Sequence, residues 1–219
     1  DDRPQIEKGE EPRKPIAILT PENEAKLTAA SVADQDPLLW LFVAFGLNTA
    51  MRHSEILRVR YDQIDFTNRR IFIPRAKAGD REQPITASLT AMLQRQRDME
   101  QDPEGWVFPS NRKKGKTPYR GGMSAQFLRA VLRAGLDPKK CTPHVMRHTA
   151  ITRLVRAGVD LPTIQRISGH KTFAMVLRYT HVHGAHIDEA IAALDTGCVV
   201  AFTPELHKRS KQDRSAAIA

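Results

Sequence analysis

Cysteine is scarce in this chain: Cys141 and Cys198 are two among 219 residues, and no C-x-x-C pair occurs. That count supports no disulfide framework, excludes a cysteine-built structural zinc site and fits a reducing compartment. Long apolar runs are missing too. The longest candidate, 38–47, has the length of a buried helix, well short of the ~20 residues that a bilayer span needs. Acidic residues are in deficit, 25 against 34 lysines and arginines, for a formal charge of +9. An excess of that sign favours a polyanionic partner, nucleic acid being the usual one, although a merely basic surface gives the same total. There is no signal-peptide pattern, and the first residue is not Met.

What is there suffices for one well-cored domain with short tails: 41% of residues are hydrophobic. Residues 1–15, with alternating charges, read as a linker, so the chain is expected to be a fragment with at least one missing N-terminal domain. The domain is expected over 16–195, and 196–219 as a C-terminal tail that orders against a partner. Thr20 followed by Pro21 predicts a helix start, running to about Ala30, with a break at Asp36-Pro37. Leu38, Leu41, Phe42 and Phe45 recur at helical spacing, and the stretch opening at Gly46, GLNT over 46–49, is expected to stop that helix. A short helix over 54–57 follows, with Arg52 in the intervening turn.

Short alternating runs at 63–66, 70–73 and 83–86 predict a small antiparallel sheet whose second hairpin has its tip at 76–80. Helical periodicity returns over 88–100 and 124–136, with a basic loop, NRKKGK, at 111–116. Thr142-Pro143 opens a helix to Ala157 with Gly158 as its stop. Further helices are predicted over 161–168, ended by Gly169, and over 172–180 and 187–194. The expected architecture is mainly α-helical α+β with one small antiparallel sheet.

The stretch LPTIQRISGHKTFAMVLRYTHV, 161–182, brings His170 and Tyr179 onto consecutive short helical segments. A tyrosine hydroxyl, with an unperturbed pKa near ~10, attacks phosphate only where cations surround it. Arg52, Lys77, His144 and Arg147 can supply them. Each has a blander reading. Arg52 fits a structural ion pair with Glu55, Lys77 a surface charge, His170 a satisfied buried histidine and Tyr179 a core aromatic. His144, Arg147 and His148, at i, i+3 and i+4, share a helix face. That face fits a solvated basic patch, a metal site from His144 and His148, or a phosphate clamp in which Arg147 donates its planar fork. The zinc-protease pattern would need Glu where Val145 stands.

The ordered set Arg52 in TAMRHSEIL, Lys77 in RAKAGD, HVMRHT, SGHK and RYTH closely resembles the catalytic domain of the tyrosine recombinase (phage integrase) family, over about 16–194. Met146 and Ser168 stand where that family often has leucine. The resemblance implies the family's DNA breaking-rejoining fold and a site-specific recombinase or integrase. Arg52, Lys77, His144, Arg147 and His170 would serve Tyr179, the nucleophile nine residues after His170, and Glu55 would support Arg52. Attack on a DNA phosphate would give a 3′-phosphotyrosyl link. The implied roles are transition-state stabilisation by Arg52, Arg147 and His170, proton transfer at His144 and general acid catalysis by Lys77.

The resemblance implies no cofactor and no metal, in keeping with the want of a carboxylate cluster for two-metal chemistry. It implies double-stranded DNA as partner, a homotetramer on DNA (with the isolated fragment able to be monomeric), no membrane, and a cytoplasmic bacterial protein at the nucleoid. Arg69, Arg70, Arg112, Lys113, Lys114 and Lys116 are expected to grip the DNA backbone. A prophage or other mobile element is the expected context. Two neighbouring readings remain: type IB topoisomerase-like relaxation, and a DNA-binding relic without catalysis. A metallohydrolase at the histidines would show itself by chelator sensitivity.

Overall fold

In the computed structural model of the chain, residues 16–74, 79–110 and 117–180 are described, all within the unit Asp1–Thr180. Lys77, the 111–116 loop, the predicted 187–194 helix, the linker and the tail lie outside the described residues.

Helix α1, Pro21–Val32, starts as its sequence dictates: the Thr20 hydroxyl accepts the Asn23 amide at 3.2 Å, and Pro21 occupies the first turn, where no donor is needed. Helix α2, Leu39–Thr49, is apolar nearly all round and accordingly buried, with Leu39, Leu41, Val43 and Phe45 fully inside. It does not stop at Gly46. A Cβ there would lie 2.8 Å from the Met146 sulfur, so the glycine admits the close approach of a neighbouring helix. The helix ends instead at Ala50, in the left-handed region at φ 55°. The tight turn leads into the one-turn helix α3, His53–Ile56.

Three short strands follow: β1, Ile64–Asp65, β2, Arg70–Ile73, and β3, Arg81–Pro84. They form an antiparallel sheet in sequence order, with Ile64 opposite Ile71, Ile71 opposite Gln83 and Ile73 opposite Arg81. Ile71 and Ile73 point inward while Arg70 and Phe72 face out, as the period of a strand requires. Strand β3 begins two residues before its expected start and β1 is half as long as expected. Arg81 carries no apolar signal, yet it pairs in the ladder. At the end of β1, the Asp65 carboxylate accepts the Asn68 amide at 2.8 Å and closes the turn.

Helix α4, Ala87–Asp98, is capped by Thr86. Helix α5, Ser124–Arg133, ends before Gly135 at φ 67°, three residues short of expectation. Helix α6, Pro143–Arg156, packs along α2. Helix α7, Leu161–Ser168, is capped by Asp160 and stopped by Gly169 at φ 64°. Helix α8, Phe173–Leu177, is shorter than predicted. Tyr179 lies past its regular end, its amide bonding the Val176 carbonyl in a tight final turn.

The main core gathers α1, α2 and α4–α6 around Phe42, Phe45 and Phe108. Phe108 meets Phe42 and Phe45 edge-on at 6.1 and 6.0 Å, a geometry worth about 0.5–1.5 kcal/mol per pair beyond area burial. A second, smaller core contains Ala50, Ile151, Ile164, Val176 and the ring of Tyr179. Among the described residues, no helix is long and apolar enough to cross a membrane.

Candidate active site

The α2–α3 turn places Arg52. Its backbone amide and its guanidinium both reach Glu55, at 3.0 Å each, so one carboxylate caps the short helix and fixes the side chain. The structural ion pair foreseen for Arg52 is therefore present, and it aims the guanidinium: Nη2 donates to the Gly169 carbonyl at 2.9 Å. Glu55 is buried and takes a second cation, Arg81, at 2.9 Å. Burial opposes ionisation of Glu55, but the Arg52 amide and the charges of Arg81 and Arg52 outweigh it and hold its pKa below the usual value.

Arg147 enters from α6 and is buried. Its Nη1 donates to the carbonyls of Ala50 and Ser168, both at 2.8 Å, and its Nη2 to His170 Nε2 at 3.0 Å. Burial, and next the charge of Arg52, lowers its pKa to about 10, which leaves it protonated at neutral pH. Because a guanidinium has donors only, His170 Nε2 must accept, and His170 Nδ1 then donates to the Ser168 hydroxyl at 2.8 Å. Burial, reinforced by Arg147 and Arg52, lowers the pKa of His170 to about 4. Both arginines thus converge on one backbone turn, 168–170, between α7 and α8.

Tyr179 stands beside that turn, its ring centroid 6.1 Å from that of His170. The ring is a core aromatic, as the plain reading held, while the hydroxyl lies 2.7 Å from His148 Nδ1. Burial raises its pKa, against the attraction of Arg147 and Arg178. His144 is exposed, its ring edge-on to His53 at 5.0 Å and 6.4 Å from His148. Among the described residues no three His, Cys, Asp or Glu side chains are placed to hold a metal ion.

A cleft of about 910 Å³ opens beside the site, lined by Arg70, Arg81, Arg166 and His170 and by the acids Asp80 and Glu82 among others. Arg69 is exposed in the β1–β2 turn at φ 53°. Arg112, Lys113, Lys114 and Lys116 fall outside the described residues, as does Lys77.

Three contributors escaped the sequence reading. Arg81 bonds Glu55, Gln83 and the Ile167 carbonyl, and its position between two acids, Asp80 and Glu82, gives no sequence signal for that role. Ser168 accepts the Nδ1 proton of His170 in the tautomer that Arg147 imposes. On sequence alone His148 reads as a metal ligand or basic-face residue, and its i+4 spacing from His144 gives no sign of its bond to Tyr179.

Two guanidiniums, a histidine and a tyrosine on this helical scaffold define the catalytic-domain fold of the tyrosine recombinases, and solved structures agree. The catalytic domain of bacteriophage HP1 integrase superposes with a TM-score of 0.61 at 26% identity, over 81% of this chain and 94% of that one. The Tn1549 transposon integrase, in complex with transposon right-end DNA, gives 0.67 at 25% identity, over 87% and 68%. The chain belongs to the phage integrase family, which it matches over residues 18–186. Among curated relatives, tyrosine recombinase XerD of Caulobacter vibrioides is 42% identical over 83 residues, 37% of this chain and 27% of that protein. Tyrosine recombinase XerA of Pyrococcus horikoshii is 26% identical over 192 residues, 85% of this chain and 65% of that protein. The chain thus spans 27% of the length of the first relative and 65% of the second.

Proposed function

We propose that this chain is the catalytic part of a site-specific recombinase that cleaves and rejoins double-stranded DNA through a 3′-phosphotyrosyl intermediate. Tyr179 attacks phosphorus, the 5′ oxygen leaves as a hydroxyl, and a hydroxyl from a second strand reverses the step, conserving bond energy. Arg52 and Arg147 bind the non-bridging oxygens and His170 adds a hydrogen bond, so that donors stand ready where charge develops. Lys77 protonates the leaving oxygen, and His144 lies at the outer edge of the site. No metal is needed in this scheme.

The observation that carries the reading is the convergence of Arg52 and Arg147 on the 168–170 turn beside the Tyr179 ring. The formal charge of +9 favours duplex DNA, with Arg69, Arg70 and the 111–116 loop on its backbone. The catalytic domain covers 16–195, and the tail contacts a neighbour in a tetramer that integrates or excises a prophage or other mobile element. Such a protein works in the cytoplasm, at the nucleoid.

The test is covalent capture. The chain is incubated with nicked duplexes of randomised sequence, trapped adducts are sequenced, and the modified residue is mapped by mass spectrometry. A single adduct at Tyr179 is expected, and Tyr179→Phe should bind the selected duplex without cross-linking. Cross-linking by Tyr179→Phe refutes the assignment.

A further inference from the structure

In the reaction proposed above, Tyr179 must lose a proton as its oxygen bonds to phosphorus. Arg52, Arg147 and a protonated Lys77 cannot take it, because guanidinium and ammonium groups carry donors only. His170 has both ring nitrogens engaged, Nε2 by Arg147 and Nδ1 by Ser168. His144 is exposed and stacks on His53, with the His148 ring between it and Tyr179. Among the described residues, one group remains in reach.

We propose that His148 is the general base of the reaction: its Nδ1 holds the Tyr179 hydroxyl in the resting site and accepts the phenolic proton as the tyrosine attacks. The separation, 2.7 Å, is a hydrogen bond already formed, within the range that proton abstraction requires. It joins two elements, α6 and the turn after α8, across 31 residues of sequence. The Tyr179 ring is packed in the smaller core and leaves the hydroxyl little freedom to turn elsewhere. His148 directly follows Arg147, so adjacent positions on α6 serve the phosphate and the nucleophile.

The charges facing His148 explain why the proton stays on the tyrosine until DNA arrives. His144 and Arg147 lie on its own helix, Arg178 and Tyr179 on the segment opposite, and His53 on α3 behind His144. Burial first, then His144, Arg147 and Arg178, lower the pKa of His148 to about 4. A phosphate brought against Arg147 offsets part of that positive field and raises the basicity of the imidazole. The step balances: the Oη–P bond forms as P–O5′ breaks, the phenolic proton passes to Nδ1, and O5′ takes its proton from Lys77. On rejoining, His148 returns the proton to Oη.

This inference rests on the proposed function, and the test separates the two. If the unaltered chain yields no Tyr179 adduct with the randomised nicked duplexes, the proposed function fails. If it does yield one, the selected duplex is used to time single-turnover cleavage by His148→Ala and His148→Asn, with folding checked by circular dichroism and DNA affinity by titration.

Both variants should bind within about threefold of the parent and cleave at least about 100-fold more slowly. The defect should persist with a 5′-bridging sulfur in the duplex, because a thiolate leaves without protonation, whereas that substitution should rescue Lys77→Ala. Added imidazole should restore cleavage by His148→Ala in proportion to its free-base concentration. A rate within threefold of the parent, a faster rate, or a defect erased by sulfur would each overturn the proposal.

Discussion

Replacing Arg147 by lysine keeps a positive charge in the same place and removes the planar fork. In the structure Arg147 makes three hydrogen bonds, to the Ala50 carbonyl, the Ser168 carbonyl and His170 Nε2. An ammonium on a flexible stem cannot meet acceptors spread around the edge of a guanidinium plane, so at least two of the three bonds are lost. At about 1.5–3 kcal/mol for each bond to a charged group, offset by partial repair with water, the loss comes to about 3 kcal/mol. For a domain of this size that is a fall in melting temperature of about 6–12 °C. The cleavage defect has a separate source: one non-bridging oxygen loses its donor in the transition state, a change of about 100- to 1000-fold. Both are measurable on one preparation, a thermal melt and a single-turnover cleavage assay well below the melt. A variant that melts within 2 °C of the parent and cleaves at the parental rate would show that Arg147 is neither clasp nor clamp.

Three further outcomes follow from the geometry. Gly46→Val should cost about 1–3 kcal/mol in denaturant unfolding, since its side chain meets Met146; Met146→Ala should relieve part of that cost, and strict additivity of the two would contradict the contact. Glu55→Gln leaves Arg52 and Arg81 without a counter-charge and should destabilise by about 3 kcal/mol while slowing cleavage, checked by melting and adduct formation. Stability should decline as pH falls from 6.5 toward 4, because His148 and His170 take up protons more readily unfolded than folded. It should decline again below 3.8 toward about 2, where Asp34, held down mainly by its hydrogen bond from Arg129, is protonated. Melting curves against pH check both limbs; His148→Asn should flatten the upper one and Asp34→Asn the lower.

The parts of this fold that local chemistry decides were readable in advance. Thr20-Pro21 and Thr142-Pro143 open helices, and Gly158 and Gly169 close them with positive φ, because capping and left-handed turns depend on adjacent residues alone. Gly46 misled for the opposite reason: what occupies its missing side chain is Met146, from a helix a hundred residues later. The site divides the same way. Arg52, Arg147, His170 and Tyr179 announce themselves as a recurring ordered set, and the structure brings them together. Arg81 and His148 do not, since an ion pair to Glu55 and a bond to a phenol form only when distant elements meet. Lys77 and the 111–116 loop lie outside the described residues.

The carbonyls of Ser168 and Gly169 that occupy the two guanidiniums belong to the same short segment that continues into Tyr179. Backbone oxygens there act as place-holders for an incoming anion, keeping each cation oriented at little cost in reorganisation. They also tether the two guanidiniums to the stretch of chain that carries Tyr179. Any excursion of that segment must loosen or tighten both arginines at once, so in the proposed reaction the timing of cleavage and the grip on the phosphate are mechanically a single variable.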